Sequence, residues 1–332
     1  MRRSCRVLLV LLLNLTFILS VQAKVSLEML TVSDSVAIEK PWALATLSVS
    51  NIRGKAEHSS ELVTQVLMGT PLKVLEAVEG WYKVETPEHY TGWMDSFGLA
   101  CVTKQEMDNW KVSPRYFFGQ ISGNVLSSPN KKSPVISDLV LGDLFVAESN
   151  SKGFLKIRIP DGRIGFVRKS DCISFKDWTE RKPDGQQVIV VAKKMLGTPY
   201  LWGGTSTKGV DCSGFTKNAY FSQGIILERD AYQQASHGEH PDLNVISELE
   251  PADLLFFGRD KQKITHVGIY IGNGFYIHAS GLVRINNIDP KHQAYILTEK
   301  KKLVATSRIL NSLNTEGITL IKDHPWYVPS KN

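Results

Sequence analysis

The sequence predicts an α+β fold, with helices ahead of an antiparallel sheet in the C-terminal half and two small β-barrels before it. Three observations carry this reading. A weak repeat of short alternating strands fills the middle of the chain. The apolar period then changes to helical spacing after residue 187, and strand-like alternation returns after Pro251.

Residues 1–23 come first. Arg2, Arg3 and Arg6 precede an apolar run from Val7 that ends in Val21-Gln22-Ala23. A basic start, a short apolar stretch and a small-residue exit predict a secretory signal cleaved after Ala23, and hence an exported protein, periplasmic or secreted. Cleavage removes three arginines and no acid, so the net charge of +6 becomes +3. That mild balance gives no case for a nucleic-acid partner. No other apolar run is long enough to span a bilayer, so no stable membrane insertion is expected after cleavage. Cys101, Cys172 and Cys212 remain, an odd number that leaves at least one thiol free in an oxidising compartment. Whether Cys101 and Cys172 pair is left open.

The repeat joins residues 72–99 to residues 144–173. Leu72 matches Leu144, Val74 matches Val146, Gly80-Trp81 matches Gly153-Phe154, and Gly92-Trp93 matches Gly165-Phe166. Each copy reads as short strands broken by Gly, Pro and Asp turns, which makes a small barrel rather than a helical unit. Expected domains are 24–110 and 111–178 for the barrels, and 179–332 for the rest.

Thr179–Gln187 is a polar linker. Val188, Val191, Ala192, Met195 and Leu196 then fall on one helix face, and Gly197 with Pro199 ends that helix. A Gly-rich loop, Trp202-Gly203-Gly204-Thr205, leads to a second helix from Asp211 that turns Phe215, Ala219 and Phe221 inward and stops at Gly224. Strands are expected at 254–257, 265–271, 275–278 and about 283–288.

The chemistry concentrates in this half. Asp211 is a good N-cap, which puts Cys212 in the first helical turn, where free amides and the helix dipole favour a thiolate and can serve an oxyanion. His266 shares a strand face with Gly268 and Tyr270. An odd-length turn or a bulge around residues 272–274 would bring His278 to that same face, whereas a plain two-residue loop would not. One activated cysteine, a base and an orienting group form the layout of a thiol hydrolase. A zinc site is the competing use of Cys plus two His, but no C-x-x-C pair exists, and His237 and His240 read as loop residues. No metal or other cofactor is expected.

Two resemblances follow from these motifs. Residues of about 50–105 and 115–175, with their Gly-Trp turns, resemble bacterial SH3-like domains. The set Gly197–Gly204, Asp211-Cys-Ser-Gly-Phe215, His266–Gly272 and His278-Ala-Ser280 resembles the NlpC-type cysteine peptidases of cell-wall metabolism, over about residues 185–325. That implies a papain-like NlpC-type catalytic domain with Cys212 as nucleophile, His266 as general base and His278 as orienting residue. Together with the barrels, the chain looks like the γ-D-glutamyl-L-diamino acid endopeptidase group. The implied partner is a peptidoglycan stem peptide with a free N-terminal L-Ala, cut between the γ-carboxyl of D-Glu and the diamino acid. The resemblance carries substrate contacts to Asp211, Ser213, Asp230 and Ala231, and to Tyr90 and Glu61 of the first barrel. Arg163 stands at the Tyr90-equivalent place of the second barrel, so the two barrels are not expected to share a role. A wall-binding module, or an amidase or acyltransferase with the same triad, is the alternative.

Overall fold

The computed structural model describes residues 39–243, 245–295 and 302–329. The signal at 1–23 and the start of the first barrel domain lie outside the described residues.

Two seven-stranded sheets come first. The first runs β1 (Trp42–Ala45), β2 (Val49–Arg53), β3 (Leu62–Leu67), β4 (Pro71–Val78), β5 (Trp81–Glu85), β6 (Thr91–Asp95) and β7 (Leu99–Val102). Helix α1 (Lys104–Val112) follows, capped by Thr103 and Glu106 reciprocally. The second sheet comprises β8 (Arg115–Phe118), β9 (Ser122–Leu126), β10 (Val135–Val140), β11 (Leu144–Ser151), β12 (Phe154–Arg158), β13 (Ile164–Arg168) and β14 (Cys172–Ser174). Spatial order is 3-2-6-5-4-1-7 in the first sheet and 10-9-13-12-11-8-14 in the second, the same path seven strands on. The weak sequence repeat is therefore a repeat of topology. Cys101 and Cys172 sit half-buried in different sheets, and all three described cysteines are free thiols.

Beyond α2 (Phe175–Glu180), the C-terminal half places α3 (Gly185–Lys194), a small β15 (Thr205–Ser206)–β16 (Gly209–Val210) ladder and α4 (Cys212–Phe221) ahead of its sheet. A short pair joins β17 (Ile225–Leu227) to β23 (Ile318–Leu320) on either side of α5 (Ala231–Gln234) and the main sheet. That sheet is antiparallel, in the order β21 (Leu282–Asn287), β20 (Phe275–Ser280), β19 (Ile264–Gly272), β18 (Leu254–Gly258) and β22 (Lys302–Ser307). Val267, Ile269, Ile277 and Ala279 pack on Phe215, Ala219 and Tyr220 of α4, while Leu255, Phe257, Tyr270 and Tyr276 form a second cluster. Two helical expectations fail at the ends. Leu196 lies past the last turn of α3 and is exposed, with Ile189 taking the buried place. Tyr220, whose hydroxyl reaches Ala252 O, is buried in that core, while Phe221 packs against a separate cluster shared with the barrels.

From Lys40 onward the chain is one compact unit, and specific bonds explain why. Thr205 N–H and Oγ1–H donate to Gln65 Oε1 (3.1 Å) and Gln65 O (2.8 Å) of β3. Lys217 of α4 meets Glu88 of the first barrel at 2.9 Å, with both side chains largely buried. Between barrels, Leu144 N–H donates to Met68 O at 2.9 Å, and Met68 N–H to Asp143 Oδ1 at 3.1 Å. Gly203 makes the closest approach. Its φ is +76°, and a Cβ there would lie 2.2 Å from Leu62 O.

This contact predicts a difference between two glycines of nearly equal φ. Gly153 (φ +78°) has open space around its Cβ direction, so Gly153→Ala carries only the left-handed penalty of about 1–2 kcal/mol. Gly203→Ala adds a backbone clash across the domain seam and should lower the thermal midpoint clearly more. Equal shifts for the two variants would show that the seam is loose.

Candidate active site

Cys212 opens α4. Asp211 before it has extended backbone, and its carboxylate accepts from Gly214 N–H at 2.7 Å, an N-cap. The same carboxylate accepts from Gly203 N–H at 3.0 Å. It is also held by Arg229, with Nη1 to Oδ1 at 3.2 Å and Nη2 to Oδ2 at 2.5 Å. Arg229 is 1% exposed. Its Nη1 donates to Ser213 Oγ at 2.9 Å, and its Nε crosses to Thr64 Oγ1 of β3 at 2.8 Å. Burial alone would lower the guanidinium's pKa, yet the paired Asp211 raises it. The expectation that Asp211 faces a substrate ammonium is thereby corrected. Asp211 lines the cleft, but its oxygens are taken by the helix cap, Gly203 and Arg229. Ser213 is likewise engaged internally.

The expected acidic thiol is corrected as well. Cys212 is 7% exposed. Burial first, and the adjacent Asp211 charge second, push its pKa up to about 11, against the amides of Val267 and Ser213, which favour the thiolate. Desolvation outweighs the helix terminus here. The resting thiol is protonated at neutral pH, so a base must take its proton.

His266 and His278 come together. His266 Nε2 lies 2.6 Å from His278 Nδ1, and His278 Nε2 lies 2.7 Å from Asn286 Oδ1. The strand connection is a two-residue turn, Asn273-Gly274, both at positive φ, with a bulge between Tyr270 and Gly272. Ile269 therefore pairs with Ile277, which sets Gly268 opposite His278 and His266 on the diagonal. The bulge does what an odd-length loop would have done.

Asn286 was not anticipated, and it fixes the proton positions. Its Nδ2–H donates to Ala294 O at 2.8 Å, so Oδ1 faces His278 as an acceptor only. His278 then carries its proton on Nε2 and, when neutral, accepts on Nδ1 from His266 Nε2–H. The neutral His266 ring is left with its lone pair on Nδ1, the tautomer a base needs. A signal existed: Asn286 lies two residues beyond Arg284, the cross-strand partner of His278, and therefore on the histidine face.

Cys212 and His266 line one cleft of about 740 Å³, whose other wall is Glu61, Val63 and Tyr90 of the first barrel. Tyr90 hydrogen-bonds Asp230 through its side chain; burial raises the pKa of both, Asp230 above the ordinary aspartate range. Glu61 accepts from the indole N–H of exposed Trp202 at 2.7 Å. Ala231, with no hydroxyl to offer, and Tyr232 close the same side. Tyr200 also lines the cleft, near enough to Cys212 for a thiolate to raise its pKa, although burial is the larger cause. His240 Nδ1 is 2.7 Å from Thr306 O, and neither it nor His237 lines the cleft. Among the described residues no helix is long and apolar enough to cross a membrane.

Comparison with known proteins agrees with this architecture. The NlpC/P60 family profile matches residues 197–302, and that of the bacterial SH3 domain matches residues 48–98, within the first barrel. The chain is 30% identical over 244 residues to the gamma-D-glutamyl-L-lysine dipeptidyl-peptidase of Bacillus cereus, covering 70% of this chain and 72% of that one. It is 28% identical over 285 residues to dipeptidyl-peptidase 6 of Lysinibacillus sphaericus, covering 82% and 99%. A crystal structure of an NlpC/P60 family protein from Bacillus cereus superposes with a TM-score of 0.69 at 24% identity, over 80% of this chain and 99% of that one. The chain belongs to the NlpC/P60 family, and it is a cysteine peptidase.

The buried thiol makes a direct prediction. In His266→Ala, the rate of Cys212 alkylation by iodoacetamide should keep climbing between about pH 8 and pH 10, roughly tenfold per unit, because only thiolate reacts. A plateau already reached near neutrality would mean that the helix terminus, not burial, sets the thiol's acidity.

Proposed function

We propose that this protein hydrolyses the bond between the γ-carboxyl of D-Glu and the following diamino acid in peptidoglycan stem peptides that begin with a free L-Ala. The observation that carries this is the barrel-side wall of the cleft. Tyr90 bonded to Asp230, with Glu61 close by, places two carboxylates on the side of the nucleophile where a peptide N-terminus would meet a solid β-barrel. An ammonium suits that end, and a continuing chain does not. The relatives named as dipeptidyl-peptidases support the same reading. In this proposal Asp230 and Glu61 hold the ammonium, Tyr90 orients Asp230, and Ala231 contributes backbone and shape. Asp211 and Ser213 act by fixing Arg229 and the helix start.

The chemistry follows from the proton positions. His266 Nδ1 takes the Cys212 proton as sulfur attacks the γ-carbonyl carbon, and His278 and Asn286 stabilise the imidazolium through the same line of hydrogen bonds. The resulting oxyanion accepts from the Ser213 amide, with the Tyr200 hydroxyl at hand. Collapse breaks the C–N bond, and His266 returns its proton to the leaving amine. Water, deprotonated by His266, then cleaves the thioester and releases the dipeptide. We also take residues 1–23 as an export signal, which would put the enzyme where stem peptides occur, and 24–110, 111–178 and 179–332 as its domains.

Two outcomes check this. Incubation with L-Ala-γ-D-Glu-L-Lys or its diaminopimelate counterpart should release the dipeptide, read by mass. Cys212→Ala should abolish that by about 10⁴-fold or more while leaving the thermal midpoint little changed. Hydrolysis at another bond, or retained turnover in the variant, would end the assignment.

The second concerns pH. Asp230 must be ionised to hold an ammonium, and burial raises its pKa. As pH falls through that raised value, KM for the free peptide should rise. Asp230→Asn should weaken binding at neutral pH and flatten that acidic limb. An unchanged limb would take Asp230 out of the amine site.

A further inference from the structure

Arg115, at the start of β8, is the most unusual charged side chain outside the active site. It is 3% exposed, yet its Nε and Nη1 meet no hydrogen-bond acceptor. Only Nη2 is placed, donating to Lys111 O at 2.7 Å. The two faces of the guanidinium are covered by aromatic rings, with Phe175 at 3.7 Å and Trp110 at 4.3 Å from its central carbon. Those rings leave only the edge, where the N–H groups point, to meet a partner. Burial pushes the arginine's pKa down to about 9, with Tyr327 opposing weakly.

A buried guanidinium without an anion is costly, and natural proteins pair such groups. Arg229 shows the usual solution in this same chain, with Asp211, Ser213 and Thr64 on its nitrogens. Arg115 has no such carboxylate. It lines a cleft of about 580 Å³ between α1, α2 and the segment after β23, together with Lys111, Lys176 and Lys322. Glu180 and Asp323 line it too, but Asp323 already accepts from Asn314 Nδ2 at 2.9 Å. Four cations against two acids leave the cleft positive, and two of the lysines, Lys176 and Lys322, are exposed.

We propose that this cleft binds a small oxyanion, of the phosphate or carboxylate type, which accepts from the open edge of Arg115 and is drawn in by Lys176 and Lys322. The planar fork of arginine suits two oxygens at once. The site joins elements from three places in the chain: α1 behind the first barrel, β8 and α2 around the second, and the C-terminal segment. An anion held there ties them together, so it stabilises the folded chain by mass action.

The test is thermal unfolding of the full-length protein at constant ionic strength, titrated with inorganic phosphate in one arm and acetate in the other. The midpoint should rise and saturate in at least one arm, and the better arm identifies the anion class. Lys176→Gln/Lys322→Gln, which removes only exposed charge, should shift the half-saturating concentration upward at least threefold with the unliganded midpoint nearly unchanged. Arg115→Lys, which loses the fork, should abolish the saturable rise. If Arg115→Lys fails to fold, the double lysine variant and the wild-type titration still decide. A midpoint that does not saturate in either arm, or a titration unchanged in the lysine variant, overturns the proposal.

Discussion

The buried pair between Arg229 and Asp211 is the interaction on which the site depends. One carboxylate caps the helix that presents Cys212, fixes Gly203 of the loop beside it, and neutralises a guanidinium whose remaining nitrogen is bonded to Thr64 of the barrel. Three separate elements are thus referred to one charge pair. Removing either partner leaves a buried charge uncompensated, at a cost of about 3–5 kcal/mol. The pair aligns the barrel wall with the nucleophile, and with it Tyr90 and Glu61. It also explains why Asp211, next to the cysteine in sequence, is a poor choice for an external ammonium.

The same carboxylate has a price for the thiol. Its charge, added to burial, holds Cys212 protonated. The chain answers with a base of defined tautomer. Ala294 O orients Asn286, Asn286 orients His278, and His278 orients His266. Activation therefore falls to the imidazole line rather than to a standing thiolate, and the nucleophile stays inert until substrate fills the cleft.

Much of this was legible in the sequence because it rests on local rules. The Asp211 cap before Cys212 is a one-turn pattern, and the alternation around His266 and Gly268 follows from strand geometry. The family motifs gave the order of the elements. What the sequence hid depends on burial and on distant partners. Helix-terminus reasoning predicted an acidic Cys212, since nothing local states that the sulfur is desolvated. Arg229 stood beside Asp230 in the motif, but its bond to Thr64 spans 165 positions. The place of Asn286 could be counted from the hairpin register only after the bulge at the Asn273-Gly274 turn was known. The second barrel was found by a faint repeat, and its strand order shows that topology outlasts sequence likeness.

The central claim is that the first barrel closes the cleft and demands a free amine. It is tested most directly by kcat/KM for L-Ala-γ-D-Glu-L-Lys against the same peptide acetylated on its N-terminus. Acetylation removes the charge that Asp230 and Glu61 would hold and adds bulk against the barrel. The free peptide should be favoured by at least ~10²-fold, the loss of one desolvated charged contact at ~3 kcal/mol. Equal values for the two peptides would mean an open cleft and would contradict the account.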